Sequence, residues 1–160
     1  MKHNSGFTIV EIIVVVTVIA ILAGIGVVSY SGMQVRARDT ERQADAESMR
    51  AALETYYEQK GDYPALITSP SNAELALVPD FYTNTLRIPP SALVAPAAPA
   101  GTTFSWGWGA TASSTNQYVL ASFHSDGSQC TDTLPCTRYI ITWWKETDNS
   151  QQQILSKFGN

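Results

Sequence analysis

Proline is missing from the chain until Pro64, and charge is missing from Ile12 through Val28. The first absence removes the residue that most strongly breaks a helix. The second leaves seventeen consecutive positions with nothing that demands water. Charged residues make up only 15% of the 160, and the net charge is −4, so nothing suggests the basic surface by which nucleic acid is usually held. Histidine occurs twice, at His3 and His124, and no H-E-x-x-H, G-x-G-x-x-G, P-loop or G-x-S-x-G pattern is present. A grouping of His124 and Asp126 with a serine has no nucleophile in a recognisable turn, so the chain reads as a non-enzyme and calls for no cofactor. Asp126-Gly127 and Asp132 invite the thought of calcium, but their spacing matches no EF-hand loop and Asp-Gly is a turn signal. No metal is expected. The two cysteines, Cys130 and Cys136, lie close together, and two such cysteines beyond a membrane span read as a disulfide.

What is present at the N-terminus is mostly Ile and Val. With Phe7 to Val10 ahead of it, the run Ile12–Val28 is long enough for one membrane-spanning helix, which needs about 20 apolar residues. Glu11 stands at its head, where an anion is costly in lipid and is by default a functional hypothesis. Thr8-x-x-Glu11 fits a capping box, in which the carboxylate also complements the helix dipole. An ordinary secretory signal would fit Lys2 as its charged region, but the apolar run is too long and no clear A-x-A site follows. Lys2 precedes the span while Arg36 and Arg38 follow it, so charge alone does not orient it.

The stretch Gly6-Phe7-Thr8-Ile9-Val10-Glu11, after a short Lys-bearing leader and before a long aliphatic helix, resembles the prepilin signal of type IV pilins and pseudopilins. That resemblance implies cleavage after Gly6 by a membrane-embedded prepilin peptidase and methylation of the new N-terminal residue, Phe7. It implies that Glu11 is an intramembrane charge that pairs with the N-terminal amine of a neighbouring subunit. It also implies a cytoplasmic leader with the remainder outside. The phrase Tyr56-Tyr57-Glu58-Gln59-Lys60-Gly61-Asp62-Tyr63-Pro64 is similar to the helix-to-loop junction of the same family.

Beyond the apolar run, Tyr30 to Lys60 contains only Gly32 among good helix formers, so one helix from Phe7 to Lys60, about 80 Å long, is predicted. Its charges fall at helical spacing: Arg38 with Glu41, Asp39 with Arg42, Arg42 with Asp45, Glu47 with Arg50, Arg50 with Glu54. Such neighbours are read as support for helix and solubility. Met49, Leu53, Tyr56 and Tyr57 form an apolar stripe that needs a cover, expected to be a sheet. Met33, Ala37, Thr40 and Ala44 make a thinner stripe, open to sister helices or to solvent. Gly61, with Pro64 soon after, suits the C-cap.

Ala65 to Gly101 holds six prolines and reads as irregular connection, with a short helix possible at Asn72–Val78 and an exposed Ala/Pro loop at Ser91–Gly101. Strands are expected at Thr103–Trp108, Gln117–His124, Arg138–Lys145 and, as a last edge, Ile154–Phe158. The first two would form a hairpin across Ala110–Asn116, and the cysteine pair would pin the connection before Arg138. Trp106, Trp108, Trp143 and Trp144 are read mainly as core, although Trp143 and Trp144 must point to opposite faces.

The reading is therefore α+β: a long N-terminal helix, membrane-spanning in its first half, packed on a small antiparallel sheet, as in pilins. Its parts are a leader at 1–6, an assembly helix at 7–30, the outer half of the helix at 31–62 and a globular region at 63–160. The resemblance implies a filament subunit, held first in the inner membrane and then in a helical homo-oligomer at the cell surface. Its implied partners are prepilin peptidase, an assembly ATPase and platform, and membrane lipid. A pseudopilin of a type II secretion-like system, a minor pilin, and an anchored single-pass binding protein are the alternatives.

Overall fold

A computed structural model describes residues 7–65, 80–99, 115–130 and 135–158. Helix α1 runs Ile9–Lys60, 52 residues without a proline. It ends where Gly61 takes φ +84°, a left-handed conformation open to glycine at no steric cost, and the Gly61 amide closes the last turn on the Tyr57 carbonyl at 2.7 Å. The chain divides into two units, Met1–Arg36 and Ala37–Asn160, and each has its own rule of packing.

In the first unit every described side chain from Phe7 to Ile25 is exposed. In the second, Asp39, Arg42, Ala46, Met49 and Leu53 are buried, at helical steps of three or four that place them on one face. A three-stranded antiparallel sheet covers that face: β1 Tyr118–Phe123, β2 Arg138–Lys145 and β3 Ser150–Leu155, in the order β1-β2-β3 among the described residues. Register pairs Leu120 with Ile141 and Ile141 with Ile154, so Tyr118, Leu120, Tyr139, Ile141, Trp143 and Ile154 share the inward face. These side chains join Met49 and Leu53 in one core. Trp143 belongs to it, while Trp144 is half-buried on the opposite face, its indole donating to Asn149 Oδ1 at 3.1 Å.

Two expectations are corrected. The last strand is Ser150–Leu155, not Ile154–Phe158. The turn after Lys145 has Asn149 at φ +54°, tolerable for Asn, and it sets Ser150 opposite Lys145. The three glutamines are then carried into the ladder by backbone pairing, against their weak β preference. Phe158 leaves the strand and stacks on Tyr57, ring centroids 5.0 Å apart. The Ala/Pro piece, expected to be exposed, instead buries Ala92, Leu93 and Ala95 at 2–3% exposure. Proline forbids ladder pairing but not burial: Pro90–Leu93 is a turn of 3-10 helix, preceded by a π-helical turn at Phe81–Thr85, and local bonds such as Ala92 N–H to Pro89 O (2.9 Å) satisfy the backbone. The possible helix at Asn72–Val78, the strand Thr103–Trp108, most of the Ala110–Asn116 turn, Trp106, Trp108, Asp132, His3 and the leader through Gly6 lie outside the described residues.

Candidate functional site

The N-terminal segment begins, in the described residues, with Phe7, which is 85% exposed. One turn on, the capping box forms. The Thr8 amide and hydroxyl both donate to Glu11 Oε2 at 2.8 Å, and the Glu11 amide donates to Thr8 Oγ1 at 3.2 Å. Two donors that the start of any helix leaves unmatched are thereby satisfied, and the carboxylate is held in the first turn. From there the surface is aliphatic on all sides, with Ile and Val side chains from Ile9 to Val18 at 50–80% exposure. A contiguous apolar surface of that extent marks contact with lipid or with other apolar surfaces, since monomeric soluble proteins rarely show one. The helix is long and apolar enough to cross a membrane, and a Cβ added at Gly24 would meet nothing within 4 Å. Sequence brings Phe7 and Glu11 within one turn of each other; Gly6 lies just outside the described residues.

In the second unit the helix charges turn inward. Arg42, fully buried, donates to Asp39 (2.9 Å), to Glu146, and to the carbonyls of Thr115 (3.0 Å) and Pro96 (3.3 Å). Arg38 reaches Glu146 with two nitrogens, at 2.6 and 3.1 Å. Glu54 accepts from the Tyr63 hydroxyl (2.9 Å), the Tyr139 hydroxyl (2.8 Å) and the Lys157 amide (2.9 Å). Asp45 accepts from the Tyr118 hydroxyl at 2.6 Å. The expected pairs Asp39–Arg42 and Glu47–Arg50 form, at 2.9 and 2.8 Å; what is corrected is their reading as solubilising support alone, since Asp39, Arg42 and Glu54 also tie the helix to distant segments, as does Arg38 through Glu146. A signal was available: Asp39 and Arg42 continue the spacing of Ala46, Met49 and Leu53, so they extend the apolar stripe by position although not by chemistry.

These contacts move the titrations. Burial alone would raise the Asp39 carboxyl, but the Thr147 hydroxyl, the amides of Glu146 and Thr147 and the Arg42 charge together hold it below the usual range. Glu146 is lowered chiefly by the Arg38 hydrogen bonds, against its burial. Burial raises the phenols of Tyr63, Tyr118 and Tyr139, and for Tyr118 and Tyr139 the neighbouring carboxylate adds most of the remainder.

Cys130 and Cys136 are joined as a disulfide with Cα atoms 6.1 Å apart, and both are buried. The bridged segment is tied into its surroundings by Tyr63 N–H to Cys136 O and Cys130 N–H to Ser122 O, both 2.9 Å. Asp126 accepts from the Ser128 amide (2.8 Å) and hydroxyl (2.6 Å), a local turn that engages its carboxylate, and His124 Nδ1 lies 3.1 Å from the Pro135 carbonyl. Among the described residues no cluster of three His, Cys, Asp or Glu is placed to hold a metal ion.

Comparison with known proteins finds relatives over part of the chain. The chain is 27% identical over 85 residues to a fimbrial protein of Neisseria meningitidis serogroup B, covering 53% of this chain and 50% of that protein. It is 30% identical over 61 residues to the type IV major pilin protein PilA of Myxococcus xanthus, covering 38% of this chain and 28% of that one. It is also 32% identical over 81 residues to the type II secretion system core protein G of Vibrio cholerae serotype O1, covering 46% of this chain and 56% of that one. The chain thus spans about half the length of the curated relatives it matches first. No solved structure matches it. Residues 1–27 match the prokaryotic N-terminal methylation motif, and the chain that carries them is similar in sequence to type IV pilins and to a type II secretion core protein.

Proposed function

We propose that this chain is a structural subunit of a type IV pilus-like filament, matured by prepilin peptidase and assembled through its N-terminal helix. One observation carries the reading: the methylation motif of residues 1–27 coincides with a helical segment whose described side chains from Phe7 to Ile25 are all exposed and whose first turn holds a carboxylate. In this reading residues 1–6 are the leader, 7–30 span the inner membrane and later pack in the filament, and 31–62 with 63–160 lie outside the membrane. Cleavage after Gly6 frees the Phe7 amine, which then carries a methyl group. In a lone subunit Glu11 sits near the headgroups. Among packed Ile and Val side chains an unpaired carboxylate would cost several kcal/mol, on the order of what buried charges cost elsewhere. The Phe7 amine of a neighbour offsets it, so maturation creates the cation that assembly uses. Residues Gly24 to Gly26 are helical in the single chain; each glycine costs about 1 kcal/mol of helix propensity, and this stretch is where the backbone would extend on packing.

The similarity to the Vibrio cholerae core protein supports a second reading within the class, a pseudopilin whose filament stays short. Mass spectrometry of the native N-terminal peptide tests the processing: a start at methylated Phe7 is expected, and an intact Met1 or a cut beyond Ala20 sinks it. Glu11→Ala tests the pairing. Inserted, cleaved subunit should persist in the membrane while sheared filament falls sharply, and normal filaments would leave Glu11 as a helix cap only. Electron micrographs of source cells separate long surface fibres from the pseudopilus.

A further inference from the structure

The turn between β2 and β3, Glu146-Thr147-Asp148-Asn149, carries no apolar side chain. Among the described residues it is tied to helix α1 by polar contacts. The Glu146 and Thr147 amides donate to Asp39 Oδ1 and Oδ2 at 2.8 and 2.9 Å, and the Thr147 hydroxyl also donates to Oδ2. Glu146 in return takes hydrogen bonds from Arg38 and Arg42. Three and five residues before the turn the attachment is of another kind, since Trp143 and Ile141 sit in the apolar core with Met49 and Leu53. One hairpin is therefore held to one helix by a hydrophobic contact along its strands and by an ionic contact at its tip.

We propose that Asp39, Arg42 and Glu146 form an acid-sensitive latch that holds the 146–149 turn on the helix at neutral pH and releases it in acid while the Met49–Leu53 core stays packed. Protonating Asp39 takes the charge from the acceptor of three donors on the turn. Protonating Glu146 leaves Arg38 and the fully buried Arg42 without that counter-charge. Among the described residues the other charged and titratable groups around the cluster are few. Lys145 acts on Asp39 and is itself paired with Asp148 at 2.8 Å, and Asp45 on the helix is engaged by Tyr118 of β1. The Thr115 and Pro96 groups that Arg42 reaches are neutral carbonyls, which hold a cation but cannot replace a carboxylate. Both carboxyls lie below their usual range in the fold, so the stabilisation is complete above that range and is lost as pH falls through their folded values.

The test is amide hydrogen exchange on the full chain in detergent micelles, as protection factors corrected for intrinsic rates, from pH 7 down to about pH 2, past the usual carboxylate range. Protection at Glu146 and Thr147 should fall by on the order of tenfold or more, while Ile141 and Leu120 stay protected. Asp39→Asn should loosen the turn already at pH 7, and Glu146→Gln should lower neutral protection and shrink the acid step; Glu47→Gln, on the exposed pair, should leave both unchanged. Should Asp39→Asn fail to fold, the wild-type titration and Glu146→Gln still decide the matter. Protection at Thr147 that persists until Ile141 also exchanges, or an acid step unchanged in Glu146→Gln, overturns the latch.

Discussion

Helix α1 obeys opposite rules in the two units of the chain. Up to Ile25 its aliphatic side chains are exposed, and beyond Ala37 its buried face includes an aspartate and a fully buried arginine. In a water-soluble protein each arrangement would be costly, the first for lack of apolar cover and the second for the desolvation of ions. The difference teaches where each region finds its partners. The buried charges are satisfied within the chain, by Glu146 and by carbonyls of segments far along the sequence. The exposed Ile and Val find no cover among the described residues, which is why the proposed function places theirs in lipid and in other copies of the helix.

The sharpest way to break this comparison is Arg42→Ala. Removing one member of a buried ionic cluster strands the others, so the second unit should lose about 3–5 kcal/mol in urea unfolding followed by tryptophan fluorescence. A loss under about 1 kcal/mol would show that the cluster behaves as a solvated surface pair. Next in size is a matched pair of truncations. Leu53→Ala, at a fully buried position, should cost about 2–5 kcal/mol. Leu22→Ala, at an exposed one, should stay within about 0.5 kcal/mol in the unassembled chain and show its effect in filament yield. Equal effects on folding would erase the distinction between the units.

Alkali probes the second unit by another route. The phenols of Tyr63, Tyr118 and Tyr139 are raised by burial and by nearby carboxylates, so the stability they contribute is complete below the unfolded tyrosine value of about 10 and is lost as pH rises toward the folded ones. Tyrosinate absorbance should therefore rise in step with unfolding for these three. Ionisation of these three ahead of unfolding would contradict the network around Glu54 and Asp45. The smallest effect is expected at Arg50→Ala, which removes an exposed helix pair with Glu47 worth about 0.3–0.5 kcal/mol and fading with salt.

Helix α1, its capping box at Thr8 and Glu11, its stop at Gly61 and the strand Arg138–Lys145 were all legible in the residues, because each rests on neighbours a few positions away: period, cap, turn and β-branched run. The apolar run Ile12–Val28 determined by itself that this region would seek something other than water. Only the tertiary structure decided that Asp39 and Arg42 face inward, that Ser150–Gln153 joins the sheet, and that Ala92, Leu93 and Ala95 are buried. The physical reason is distance along the chain: Arg42 meets Glu146 across 104 positions, and a charge, a glutamine or an alanine next to a proline has no local preference strong enough to announce its partner. Burial is a property of what arrives on the other side, and that is set by the fold as a whole.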